Sequence, residues 1–182
     1  MLKFLSITAV VAVTVFSNVF AAQTGSYAGQ EQRAIKALSP EEIDSYLSGK
    51  GAGLAKAAEL NHYPGPAHVL ELAEKLQLNP QQKARTEAVF KVMQAEAIRG
   101  GKALVEKEQE LDRRFAAAAM TPDSLGLLLE QIGKLQADVR RAHLQAHLDQ
   151  RAILTKDQIA KYDALRGYTA GNAGGHSGHS HH

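Results

Sequence analysis

Apolar residues recur at three- and four-residue intervals through most of the second half of the chain, which is the period of a helix face and not of a strand. Val69, Leu70, Leu72, Ala73 and Leu76 form one such face. Phe90, Met93, Ala97, Gly101, Leu104, Leu111 and Phe115 form a longer stripe that steps over Glu108, and Gly100-Gly101 lies within it. Each glycine costs a helix about 1 kcal/mol relative to alanine, so that pair predicts a bend or a close helix contact. A third stripe runs through Leu125, Leu128, Leu129, Ile132, Leu135, Val139, Ala142 and Ala146. Ile159, Tyr162 and Leu165 mark a short last helix that stops at Gly167.

Helix starts are written between these stripes. Ser39-Pro40-Glu41-Glu42, Asn79-Pro80-Gln81-Gln82 and Thr155-Lys156-Asp157-Gln158 each place a capping side chain three residues before Glu or Gln. That is a capping box, twice with proline at the first helical position. Thr121-Pro122 caps a further helix. Gly49, Gly51 and Gly53 end the helix opened at Ser39, and Pro64-Gly65-Pro66 breaks the chain after an Ala-rich stretch. Two long helices joined by the tight turn Ala119-Met120-Thr121-Pro122 predict an antiparallel helical hairpin. One stripe per helix leaves a face to cover, either with short flanking helices or in a homodimer. The fold class expected is therefore all-α: a long antiparallel hairpin with short flanking helices, dimerising.

The N-terminus changes the picture. Lys3 is followed by an almost wholly apolar run over residues 4–20 and by Val19-Phe20-Ala21, the n-region, h-region and cleavage site of a secretory signal cut after Ala21. An uncleaved anchor competes with this, although the run is short of the ~20 residues of a spanning helix. The expected organisation is a signal peptide at 1–21, a leader with short helices at 22–65, a helical domain at 66–168 and a His-rich tail at 169–182. Apart from Ala170 and Ala173 the tail has no apolar residue, and it is expected to be disordered.

The 21 Lys and Arg against 19 Asp and Glu leave a net charge of +2, which gives no nucleic-acid footprint. There is no cysteine, so an exported chain must be held by packing, a partner or a metal. No nucleophile elbow, HExxH or phosphate loop occurs, and Gly49, Gly51 and Gly53 follow a helix instead of a strand. No enzymatic activity is expected.

The pattern Leu-[Ser/Thr/Asn]-x-x-[Glu/Gln] stands at residues 38–42, 78–82 and 154–158. In an exported helical chain it resembles the LTxxQ signature of the Spy/CpxP-like periplasmic proteins, over roughly residues 66–168. The first long-helix copy departs from it, with Asn79-Pro80 where the family usually has threonine. The stretch Ala58-Glu59-Leu60-Asn61-His62-Tyr63-Pro64-Gly65-Pro66, with His68 after it, also resembles a block in relatives described as metal sensors, although the full ligand set of the nickel and cobalt sensors is not reproduced. The resemblance implies, first, an ATP-independent chaperone or envelope-stress binding protein that holds unfolded or envelope proteins, or a membrane-bound signalling partner, on a mixed apolar and basic face. Met93, Lys102, Leu104, Lys107, Arg113, Arg114, Phe115, Arg140 and Arg141 are the candidates for that face. The plainer alternative is that they are charged residues beside a buried seam.

The second expectation is a periplasmic heavy-metal sensor or buffer. His143 and His147, four apart on a helix, put two imidazoles on one face within reach of one ion. A third ligand would have to come from elsewhere, for example His62, His68, Glu96 or another subunit. The alternative is a pair of ordinary surface histidines. His62 and His68 bracket the Pro64-Gly65-Pro66 turn, as weaker candidates or as turn caps. His176, His179, His181 and His182, spaced by Gly and Ser, make a flexible chelator for Zn, Ni, Co or Cu. No cofactor is required by either expectation.

Overall fold

A computed structural model describes residues 25–168. The expected signal peptide and the His-rich tail, with His176, His179, His181 and His182, lie outside the described residues. Every regular element among them is helical: a single 3-10 turn at Gln30–Gln32, then α1 (Pro40–Ser48), α2 (Lys56–Glu59), α3 (Pro66–Glu71), α4 (Pro80–Ala116), α5 (Pro122–Arg151) and α6 (Lys156–Arg166). None of these helices is long and apolar enough to cross a membrane.

All four start signals act as caps. Ser39, Asn79, Thr121 and Thr155 each accept from the backbone N–H three residues on, and Glu42, Gln82, Ser124 and Gln158 reciprocate. Serine does for α5 what Glu or Gln does elsewhere. Two of the boxes have a second role. Gln82 Nε2 donates to the Ile153 carbonyl (3.0 Å) and to Gln158 Oε1 (2.8 Å), while Gln158 Nε2 donates to the Leu76 carbonyl (3.3 Å) and to Gln82 Oε1 (3.1 Å). The starts of α4 and α6 are thereby fastened to each other and to the ends of α3 and α5. Around this amide exchange Val69, Leu76, Leu154 and Tyr162 form an apolar cluster, with Leu72, Leu78, Ile159 and Tyr168 packed on it.

The two long helices, α4 with 37 residues and α5 with 30, pack on each other. Gln150 Nε2 donates to the Thr86 hydroxyl at 3.1 Å, both fully buried, and Gly100 faces Val139. Met93, Ala97, Leu104, Leu128, Ile132, Val139, Ala142 and Ala146 fill the seam. The stripes are not buried to their ends. Phe115 is 58% exposed and Leu129 is 51% exposed. The position that the α4 stripe stepped over, Glu108, is buried instead, and desolvation pushes its carboxyl above the usual range.

Gly100-Gly101 marks a close contact and no break, since α4 runs through it. A Cβ at Gly101 would overlap the Tyr46 carbonyl, so the bare backbone is what lets α1 lie across α4. Gly49 ends α1 in the left-handed region (φ 69°), and a Cβ there would sit 3.0 Å from Ile98 Cγ1. Lys36, ahead of α1, reaches Asp112 on α4 at 3.3 Å.

Gly101→Ala should destabilise the fold by about 1–3 kcal/mol because α1 must move away. Gly126→Ala on α5, where a Cβ meets nothing within 4 Å, should instead gain up to about 1 kcal/mol. Denaturant melts of the two variants check both signs. Gln82→Glu keeps the cap acceptor but loses both donated bonds and sets a carboxylate against Gln158 Oε1. It should cost about 1–3 kcal/mol, whereas Glu42→Gln at the exposed α1 cap should change stability by less than about 0.5 kcal/mol.

Candidate functional site

Sequence spacing placed His143 and His147 on one face of α5, and the structure turns that face inward. The two residues are 5% and 8% exposed, so they are not surface histidines. Both line a cavity of about 410 Å³ bounded by the Gly49, Gly51 and Gly53 loop, by Phe90 and Met93 of α4, and by Gly65 and Pro66 at the start of α3.

His147 is held from behind. Its Nδ1 lies 2.7 Å from the Tyr63 carbonyl, an oxygen that only accepts, so Nδ1 carries a proton and Nε2 is the nitrogen on the other side of the ring from that bond. A backbone carbonyl fixing the far nitrogen is the usual support of a metal-ligating imidazole. Gly65 keeps the other edge clear: a Cβ there would stand 2.9 Å from Cε1 and 3.1 Å from Nε2. Gly51 faces His143, but a Cβ there would meet Nδ1 at 3.6 Å, an ordinary contact. The buried His143 Nε2 has no hydrogen-bond partner. Burial, and then the neighbouring His147, pushes the His143 ring below the usual histidine range, so it is neutral at neutral pH.

Glu59 of α2 anchors the arrangement. Its Oε1 accepts from the hydroxyls of Tyr162 (2.5 Å) and Tyr168 (3.2 Å), and Arg166 Nε lies 3.6 Å away. Its Oε2 accepts from the Gly65 N–H at 3.1 Å and lies 3.7 Å from His147 Nδ1. Burial and then Glu59 push the Tyr162 hydroxyl far above its ordinary value, so it stays a donor. The loop that Glu59 holds is pinned from outside as well. Arg151 Nε donates to the His62 carbonyl (3.3 Å), and its guanidinium sits 4.4 Å over the Tyr63 ring.

The remaining histidine candidates do not complete a ligand set. His62, in the left-handed region at φ 66°, turns its Nδ1 to Asp163 at 2.7 Å and does not line the cavity. His68 lines the cavity, but its Nδ1 faces Glu71 at 3.0 Å. Glu96 borders a separate shallow groove with Val92 and Asp149. Among the described residues no three His, Asp or Glu side chains converge to hold an ion.

The client-face candidates are dispersed. Met93 and Leu104 are buried in the seam and form no part of an exposed face of the single chain. Lys107 and Arg114 both pair with Glu110, and Arg141 shares Asp138 with Lys134. Lys102, Arg113, Phe115 and Arg140 are exposed.

Sequence reasoning missed Glu59, which sat in a short Ala-rich helix read as leader. Its signal was its place four residues before Tyr63 in the block that ends at Pro66. Comparison with protein-family models, with curated proteins and with solved structures gives no match.

Long-range ¹H–¹⁵N spectra at pH 7.5 should show His147 as the Nδ1–H tautomer, which is the rarer form of neutral histidine. An Nε2–H pattern would contradict the Tyr63 hydrogen bond. In Gly65→Ala the ring must turn away from the new Cβ, and the Nδ1–H signature should be lost.

Proposed function

We propose that the chain is an exported helical protein of the Spy/CpxP kind, working in the periplasm without nucleotide as a heavy-metal sensor or buffer whose donors are His143 and His147. One observation carries this reading: two buried imidazoles share a cavity, one held through Nδ1 by a backbone carbonyl and one with a buried nitrogen that nothing else satisfies. A buried polar atom without a partner costs about 1–3 kcal/mol, and a bound ion would remove that cost. The candidate metals are Zn, Ni, Co and Cu, and the tail histidines add chelating capacity. In this reading α4 and α5 are an antiparallel hairpin, and the exposed apolar residues are covered in a homodimer or by a membrane-bound signalling partner. The loop that carries Tyr63 and Gly65 transmits occupancy of the site, because it touches both the imidazole and Glu59.

A second reading, the ATP-independent chaperone or envelope-stress binding protein, is favoured by a different observation. Val92, Phe115, Leu127 and Leu129 are all more than half exposed, with Lys102, Arg113 and Arg140 on the same two helices. Apolar contact with long-range attraction is what a holder of unfolded or envelope proteins needs. The two readings are compatible, since a metal that prefers one arrangement of the cavity loop shifts the population of client-binding states.

Calorimetric titration of the chain with His176, His179, His181 and His182 changed to serine should show one ion bound per chain, and His143→Ala with His147→Ala should abolish it. If binding is seen only when the four tail histidines are present, the cavity is not the sensor. Suppression of client aggregation without nucleotide then decides for the second reading.

A further inference from the structure

We propose that the His143/His147 cavity takes monovalent copper, with the thioether of Met93 as the third donor. The proposal rests on reading that cavity as a metal site, and it names the class of ion and a ligand from the opposite helix. Met93 is buried, lines the same cavity as both imidazoles and packs against Ala146, the residue before His147. The seam residue of α4 that lines the cavity opposite the two histidines of α5 is thus the one apolar type that carries a soft lone pair.

Three features of the cavity separate this ion from the harder dications. The carboxylate within reach is already committed. Glu59 accepts from two tyrosine hydroxyls and the Gly65 N–H and stands on the Nδ1 side of His147, where it orients the ring instead of ligating. A dication that wants four or more nitrogen and oxygen donors finds two imidazoles here, since His68, which also lines the cavity, turns its Nδ1 to Glu71, and no three His, Asp or Glu side chains converge to hold an ion among the described residues. Monovalent copper is satisfied by two or three soft or borderline donors, and thioether sulfur selects it.

The walls act in the same direction. Phe90, Pro66 and Ala146 line the cavity, and Lys56 stands at its border beside Gly53. The cost of taking an ion out of water rises with the square of its charge. A cavity with these apolar walls, and with Lys50 and Lys56 in its lining beside the already bonded Glu59, therefore penalises a double charge far more than a single one. His143 Nε2, buried and unpartnered, is the kind of nitrogen that a small low-coordinate ion would satisfy without bringing water in.

The test uses the full chain with the four tail histidines changed to serine, titrated without oxygen with Cu⁺ against a competing chelator, and separately with Zn²⁺, Ni²⁺ and Co²⁺. One Cu⁺ per chain is expected, bound at least about 100-fold more tightly than any of the dications. Met93→Leu, close in volume, should weaken Cu⁺ by at least about 100-fold and Zn²⁺ by less than about threefold. Selenomethionine in place of methionine keeps the packing, and X-ray absorption of the 1:1 complex should then show a copper–selenium scatterer. This second measurement stands whether or not Met93→Leu folds. A 1:1 Cu⁺ complex without selenium scattering, or Cu⁺ binding unchanged in Met93→Leu, overturns the proposal. So does tight Zn²⁺, Ni²⁺ or Co²⁺ binding with no Cu⁺; in each of these cases binding that is lost in His143→Ala with His147→Ala keeps the metal reading. No binding of any of the four ions overturns both.

Discussion

The amide exchange between Gln82 and Gln158 is the constraint from which the cavity follows. It fixes where α4 begins relative to α6, and so sets Leu78 and Leu154 into the same apolar cluster as Val69, Leu76 and Tyr162. With α6 so placed, the Tyr162 hydroxyl reaches Glu59. Glu59 in turn holds the Gly65 amide, and the loop ahead of Gly65 offers the Tyr63 carbonyl to His147. The cavity end of the molecule is thus positioned by two helix caps that also act on each other. Glutamine is the residue this requires. Glutamate caps a helix equally well but has no donor for a second helix, and the α1 box, which uses Glu42, is exposed and bonds only its own Ser39.

Much of this was legible in the chain. The capping boxes, the proline at N1 and the stop at Gly167 set the helices, because those signals are local and act through the nearest backbone amides. The close contact at Gly100-Gly101 was also legible, since glycine within a long helix usually has a packing reason. The double role of Gln82 and Gln158 was hidden because a capping box explains the motif without remainder. The one trace was that two boxes end in Gln and one in Glu.

The site was half legible. The i,i+4 spacing placed His143 and His147 on one face, but periodicity does not say whether a histidine beside an alanine stripe points into a seam or into water. Burial came from α2 and the Tyr63–Gly65 loop folding over α5 from the far side of the sequence, in a region read as leader. Met93 and Leu104 were assigned to an exposed face and lie in the seam. Phe115 and Leu129 had the opposite fate, because stripes near the turn at Met120 extend past the flanking helices that would cover them. Ala142 and Ala146 lie in the seam, and the next residue after each, His143 and His147, turns toward Gly51 and Gly65.

Glu59 also has a consequence for the order in which the molecule assembles. Its tyrosine partners lie 103 and 109 residues along the chain, whereas α4 and α5 are joined by a turn of a few residues and begin to zip from neighbouring positions. Closing a long loop carries an entropy cost that local contacts do not, and such distant contacts form slowly. The long pair therefore folds first and the chamber at its far end closes last. By the same logic that end opens first, and hydrogen exchange there measures a smaller free energy than global unfolding.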